Sequence, residues 1–155
     1  MYKRIFAIVV AIIAVLTLSP SPVRAADGLH VVSSFSSSNA KLVVANYTEG
    51  AEVIGLIAVT TPSQTFTYSF AKSDLNTLLG LWEKARHASA QKYVASGSMA
   101  ETDTHALDVL LLAGGPTVRI SIADPVDGLG SFDLSRNDYS AFDSALNKAA
   151  AAVTN

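Results

Sequence analysis

Polar and aromatic residues alternate strictly along Thr65-Phe66-Thr67-Tyr68-Ser69-Phe70. That period of two predicts a strand with one dry face and one wet face. Val118-Arg119-Ile120-Ser121-Ile122 repeats the pattern further along. Other runs do not alternate. Leu42–Ala45, Val53–Val59 and Val109–Leu112 are apolar at nearly every position. Strands of that kind need cover on both faces. Either two sheets of the same chain pack together, or a second copy supplies the cover as a homodimer.

Two segments change to helical spacing. Leu75, Leu78, Leu79 and Trp82 form one apolar stripe, and Tyr139, Phe142, Ala145, Leu146 and Ala149 form another. Ser73 or Asp74 is placed to cap the first helix, and Ser135 or Asn137 the second. Asp74 and Asp138 near the starts, and Lys84 and Lys148 towards the ends, suit the helix dipole. Turn residues divide the rest. Glu49-Gly50 and Gly114-Gly115-Pro116 each close a strand, as do Thr61-Pro62-Ser63 and the stretch from Asp124 to Gly128. Short links of this kind favour antiparallel neighbours.

The second half echoes the first at a constant offset of 64. Gly50 matches Gly114, Asp74 matches Asp138 and Lys84 matches Lys148. Apolar positions keep the same offset, as in Leu56 with Ile120, Tyr68 with Phe132 and Trp82 with Leu146. A shared order of elements at a fixed period is the mark of internal duplication. The expected fold is α+β: two pseudo-repeated ββββα units, at about 28–90 and 92–154, with antiparallel sheets and two amphipathic helices.

This order of elements resembles the layout of the PUR and whirly-type modules over the whole repeated region, with no family motif matched. The resemblance implies binding of single-stranded nucleic acid. Such binding calls for a basic groove and stacking aromatics on an open sheet face. The alternating strands put Thr65, Thr67, Ser69, Arg119 and Ser121 on the face opposite the apolar stripe. One arginine among small polar residues is a poor phosphate track.

The N-terminus bears on the same question. Lys3 and Arg4 precede the apolar run Ile5–Leu18, and Ser19-Pro20-Ser21-Pro22 and Val23-Arg24-Ala25 follow it. That order reads as a signal peptide over 1–25, leaving 26–155 as a single exported domain, periplasmic or secreted from a bacterium. The run is short of the ~20 apolar residues that a spanning helix needs, so no membrane span is expected after cleavage. Without its first 25 residues the chain keeps eight Lys and Arg against 13 Asp and Glu, a formal charge of −5. An acidic exported domain does not attract phosphate backbones by net charge, which makes nucleic acid an unlikely partner. The chain has no cysteine, so there is neither a disulfide framework nor a thiolate site.

Candidate chemistry is sparse. Glu101-Thr102-Asp103-Thr104-His105 is the densest polar cluster. On a strand, Asp103 and His105 share a face and offer a carboxylate and an imidazole for a divalent metal or an acid–base pair. Asp108 falls on the opposite face, and two ligands fall short of the three or four of a usual zinc site. His30 and His87 have no sequence neighbour to orient them and read as structural. Ser-x-x-Lys occurs three times, from Ser38, Ser69 and Ser89, without the companion motifs of the enzymes that use it. No phosphate loop, dinucleotide fingerprint or nucleophile elbow is present. No cofactor is implied. The sequence alone therefore reads as an exported, non-catalytic binding or assembly module for an unknown protein or small ligand. A small hydrolase or metal-dependent enzyme using Asp103 and His105 is the first alternative, and a single-stranded nucleic-acid binder the second.

Overall fold

The computed structural model describes residues 28–87, 94–100, 106–111, 117–124 and 126–154. Four antiparallel strands come first: β1 (Leu29–Ser36), β2 (Lys41–Glu49), β3 (Glu52–Thr60) and β4 (Thr65–Phe70). A 3-10 turn (Lys72–Asp74) leads into helix α1 (Leu75–His87). The pattern then repeats as β5 (Val94–Ala100), β6 (Ala106–Leu111), β7 (Thr117–Asp124) and β8 (Gly128–Ser135). A second 3-10 turn (Arg136–Asp138) and helix α2 (Tyr139–Ala152) follow. Both sheets run in sequence order. The α+β class and the paired ββββα units are as the periodicity predicts.

The 64-residue offset holds in backbone detail. The two 3-10 turns correspond residue for residue, and both helices begin at corresponding positions. The pairing of β1 with β2 slips between Val31 and Ser33, and that of β5 with β6 slips between Ala95 and Ser98. Both repeats thus carry an irregularity at the same place in the first strand, which bends the strand and increases its twist. Between β2 and β3 the loop is only Gly50-Ala51, with Glu49 paired to Glu52. Gly50 has φ +61°, and among the described residues no non-glycine residue has a positive φ. A positive φ at the first loop position alone is the type II′ geometry that matches the twist of a hairpin.

The apolar strands obtain their two-sided cover from within the chain on one side. On the inner face of the first sheet, Leu42 pairs with Val59, Val44 with Ile57, and Ile57 with Tyr68. These side chains join Val118, Ile120, Ile122, Phe132 and Leu134 of the second sheet in one buried cluster. Strands β3 and β4 meet β7 and β8 there. The outer face of the first sheet holds a second cluster, with Leu29, Val43, Ala45, Leu56 and Ala58 all buried.

The helices are exchanged. Helix α1 packs on β5 and β6 of the second repeat, while α2 packs on β1, β2 and β3 of the first. Each apolar stripe therefore closes the core of the other repeat. Hydrogen bonds fasten the crossover. Asn46 Nδ2 donates to the Ala149 carbonyl at 2.9 Å, and the Thr154 amide donates to the Val53 carbonyl at 3.1 Å. The helix starts differ in part from expectation. Asp74 does contribute, accepting the Ala71 amide at 2.8 Å. Ser135 makes no cap to the backbone; its hydroxyl donates to Asp138 Oδ2 at 2.6 Å.

Candidate nucleic-acid interface and interhelical groove

The outer face of the second sheet is polar by register. Thr117, Arg119, Ser121 and Ala123 on β7 alternate with the inward Val118, Ile120 and Ile122, and of the outward four Ser121 is itself buried. Across from them on β8 stand Ser135, Asp133, Ser131 and Leu129. Arg119 makes a two-pronged pair with Asp133, Nε to Oδ1 at 2.7 Å and Nη2 to Oδ2 at 2.8 Å. The two side chains are 41% and 45% exposed, so the pair contributes little to stability. Ser121 and Ser131 hydroxyls hydrogen-bond at 2.8 Å. Leu129 is 60% exposed and gives this face an apolar contact. The face offers hydroxyls, one guanidinium and an apolar side chain in a shallow twisted surface.

On the first sheet, Thr65 and Thr67 lie opposite the inner aromatics, as the alternation predicts, but both are buried. Thr65 and Thr60 hydroxyls meet at 3.0 Å. That outer face is mostly apolar rather than a wet one, because β2 and β3 contribute Val43, Ala45, Leu56 and Ala58 to it.

A second feature lies where the end of α1 meets the start of α2. Arg86, His87, Arg136, Tyr139, Ser140 and Asp143 line a groove of about 360 Å³. Residues 136, 139, 140 and 143 fall on one face of the 3-10 turn and the helix that continues it, one turn apart. Trp82 lies behind them. Its ring meets Tyr139 edge-on at 5.3 Å and Phe142 at 4.8 Å. Its indole N–H donates to Asp143 Oδ1 at 3.0 Å. Asp143 Oδ2 is 4.0 Å from Arg86 Nη1. Glu83 holds Arg86 at 2.5 Å and His87 at 3.1 Å. The Glu83 hydrogen bond, with Asp143 and Glu83 charge adding to it, raises the Arg86 pKa against the opposing effect of burial. Burial pushes the Tyr139 phenol up, and the nearby Arg136 charge works the other way.

Asp103 and His105 lie outside the described residues. Asp108 is on β6, paired in register with Ser98 and Ser121. Among the described residues no group of three His, Asp or Glu could hold a metal. His30 is exposed on the edge strand β1. His87 does acquire an orienting partner, Glu83, one helical turn away. The groove was missed because its parts are some 50 residues apart in sequence. A signal existed: at the 64-residue offset, Arg86 faces Ala150 and Asp143 faces Leu79, two sharp breaks in an otherwise apolar correspondence.

No family model matches the chain, and no curated protein sequence matches it. Its fold is similar to solved structures. WHY1 from Arabidopsis thaliana has a TM-score of 0.52 at 12% identity, covering 83% of this chain and 92% of that one. The plant transcriptional regulator PBF-2 has a TM-score of 0.50 at 9% identity, covering 83% of this chain and 84% of that one. The tandem ββββα architecture is therefore of the whirly type, as the order of elements suggested.

These likenesses correct the functional expectation. The exported, non-catalytic assembly module gives way, because the architecture is shared with a transcriptional regulator. The exclusion of nucleic acid falls with it. It rested on net charge, which averages over the chain, whereas binding depends on local groups such as Arg119 and the exposed Leu129 on the second sheet. The reading of residues 1–25 as a signal peptide, with its periplasmic or secreted destination, is set aside on the same finding; that segment lies outside the described residues. Among the described residues no helix is long and apolar enough to cross a membrane.

Proposed function

We propose that this protein binds single-stranded nucleic acid on the outer face of its second sheet. The observation that supports this most is the fold likeness to WHY1 and to the transcriptional regulator PBF-2 across 83% of the chain. The face itself suits the role. Leu129 offers an apolar contact to a base, and Arg119 a planar guanidinium on which a base can stack. Ser131 is partly exposed and its hydroxyl can donate to or accept from a base edge, while the buried Ser121 serves as its partner. Because the Arg119 charge is already matched by Asp133, affinity comes from stacking and hydrogen bonds more than from phosphate neutralisation.

Fluorescence anisotropy with labelled single strands of roughly 16 nucleotides, the upper range for a small binding fold, tests this. Saturable binding to the single strand, weaker binding to its duplex, and loss in a Leu129→Asp variant are expected. Absence of binding at low salt, or equal binding by Leu129→Asp, overturns the proposal. Leu129 is exposed, so that variant folds, and its circular dichroism spectrum checks this.

A further inference from the structure

We infer that the groove between the end of α1 and the start of α2 is a second binding site, for a 5′-phosphorylated nucleotide. The inference stands apart from the sheet face, since none of its residues is shared with it. The 64-residue offset gives each groove residue a counterpart in the other repeat. The counterparts fall at Ala150, Ala151, Lys72, Leu75, Asn76 and Leu79. Alanine and leucine there replace Arg86, His87, Tyr139 and Asp143 here. The repeat design therefore does not itself require Arg86, His87, Tyr139 or Asp143 at these positions. The charged version is not needed for packing, and partly buried polar groups cost desolvation that the apolar version avoids.

The chemistry of the lining points to a phosphate next to a ring. Arg86, His87 and Arg136 place three nitrogen-rich cationic or cationisable groups around one groove, and guanidinium forks match phosphate oxygens two at a time. Ser140, in the first turn of α2, adds an exposed hydroxyl to the lining. Arg86 Nε is buried with no hydrogen-bond partner among the described residues, so the guanidinium is not saturated by Glu83 and Asp143. Tyr139 supplies a ring face for a base, held in place by Trp82 behind it. Asp143 Oδ1 accepts from the indole, and Oδ2, 4.0 Å from Arg86 Nη1, has capacity to accept a ribose hydroxyl as well. A volume of about 360 Å³ suits one nucleotide.

The ligand could be a free nucleoside monophosphate or the phosphorylated 5′ end of a strand. Calorimetry on the full chain with adenosine monophosphate, adenosine, and single strands with and without a 5′-phosphate separates them. Stoichiometric binding of the monophosphate is expected, about tenfold weaker for adenosine and about tenfold weaker in Arg136→Gln. Arg136 is exposed, so that variant keeps the fold. A preference for the 5′-phosphorylated strand that Arg136→Gln abolishes assigns the strand end; binding of the monophosphate alone assigns the free nucleotide. Either supports the site. No heat with the monophosphate and no preference for the phosphorylated strand overturns it, as does equal affinity in Arg136→Gln. The 5′-hydroxyl strand reports on the sheet face alone, so failure there leaves the groove standing.

Discussion

Asn46, a buried polar residue on the inner face of β2, donates its amide to the carbonyl of Ala149 near the end of α2. The bond spans the two repeats. It caps one of the last carbonyls of a helix, which have no partner within the helix itself. Asn46→Ala removes the donor and strands a buried acceptor. The expected cost is about 1–3 kcal/mol. For a chain of this length that lowers Tm by roughly 2–4 °C per kcal/mol. Trp82 is the single tryptophan and is buried, so its fluorescence follows the transition without a label. An unchanged midpoint for Asn46→Ala would show that the exchanged helix does not depend on this bond.

Two glycines should respond in opposite directions to the same substitution. Phe66 of the first sheet lies over Gly130 of the second. A Cβ at residue 130 would come within 2.7 Å of the Phe66 Cγ atom, well inside contact distance. Gly130→Ala therefore forces the two sheets apart or turns the ring, at about 1–3 kcal/mol. Gly80 is in the middle of α1, and a Cβ there meets nothing within 4 Å. Gly80→Ala is expected to stabilise by roughly 0.5–1 kcal/mol through helix propensity and a less flexible unfolded chain. Urea denaturation of the two variants checks both signs, and a stabilised Gly130→Ala would contradict the sheet-on-sheet contact.

The repeat was legible because each half carries the same alternation, the same turn residues and the same helical stripe at one offset. Glu49-Gly50 announced its hairpin, and Leu75, Leu78 and Trp82 announced α1. The exchange of helices was not legible. The stripe on α2 from Phe142 to Ala149 is apolar enough to close either sheet, and periodicity carries no information on which one it meets. Only the exchange brings the end of α1 beside the start of α2, so the groove could not be assembled from local pattern. The net charge misled for a related reason: it sums acids and bases over the whole chain and carries no information on where Arg119 or Arg86 falls in the fold. Thr65 and Thr67 were placed on the correct face, but the wetness of that face depended on neighbours in β2 and β3 that are themselves apolar.

Tyr139 should make the protein sensitive to alkali. Burial raises its pKa above the usual tyrosine value of about 10, more than the Arg136 charge lowers it. A group whose pKa is raised on folding contributes stability that is whole below the unfolded value. That contribution is lost as pH climbs through the folded one. Wild type and Tyr139→Phe are expected to show parallel stability from neutral pH to about 9. Above about 10 the wild type loses ground that the phenylalanine variant does not, since only the former must ionise at this position. Other tyrosines titrate in both proteins and cancel in the difference. Parallel curves through the alkaline range would show that the ring is as well solvated in the fold as out of it.

The salt dependence of single-strand binding follows from the charges on the second sheet. Each phosphate neutralised contributes a slope of about −0.7 in log affinity against log salt for a single strand. Arg119 is the cation on the described part of that face, and Asp133 holds both prongs of its guanidinium. A slope shallower than about −2 is expected for a strand with a 5′-hydroxyl end, because few counterions are released. Asp133→Asn removes a negative charge from beside the Arg119 guanidinium. It should tighten binding at low salt and steepen the slope by about −0.7. The pair is about half exposed, so its loss alters stability little. Anisotropy titrations from low salt to about 0.15 M measure both quantities. A steep slope in the wild type would place the strand on a basic surface other than this sheet face.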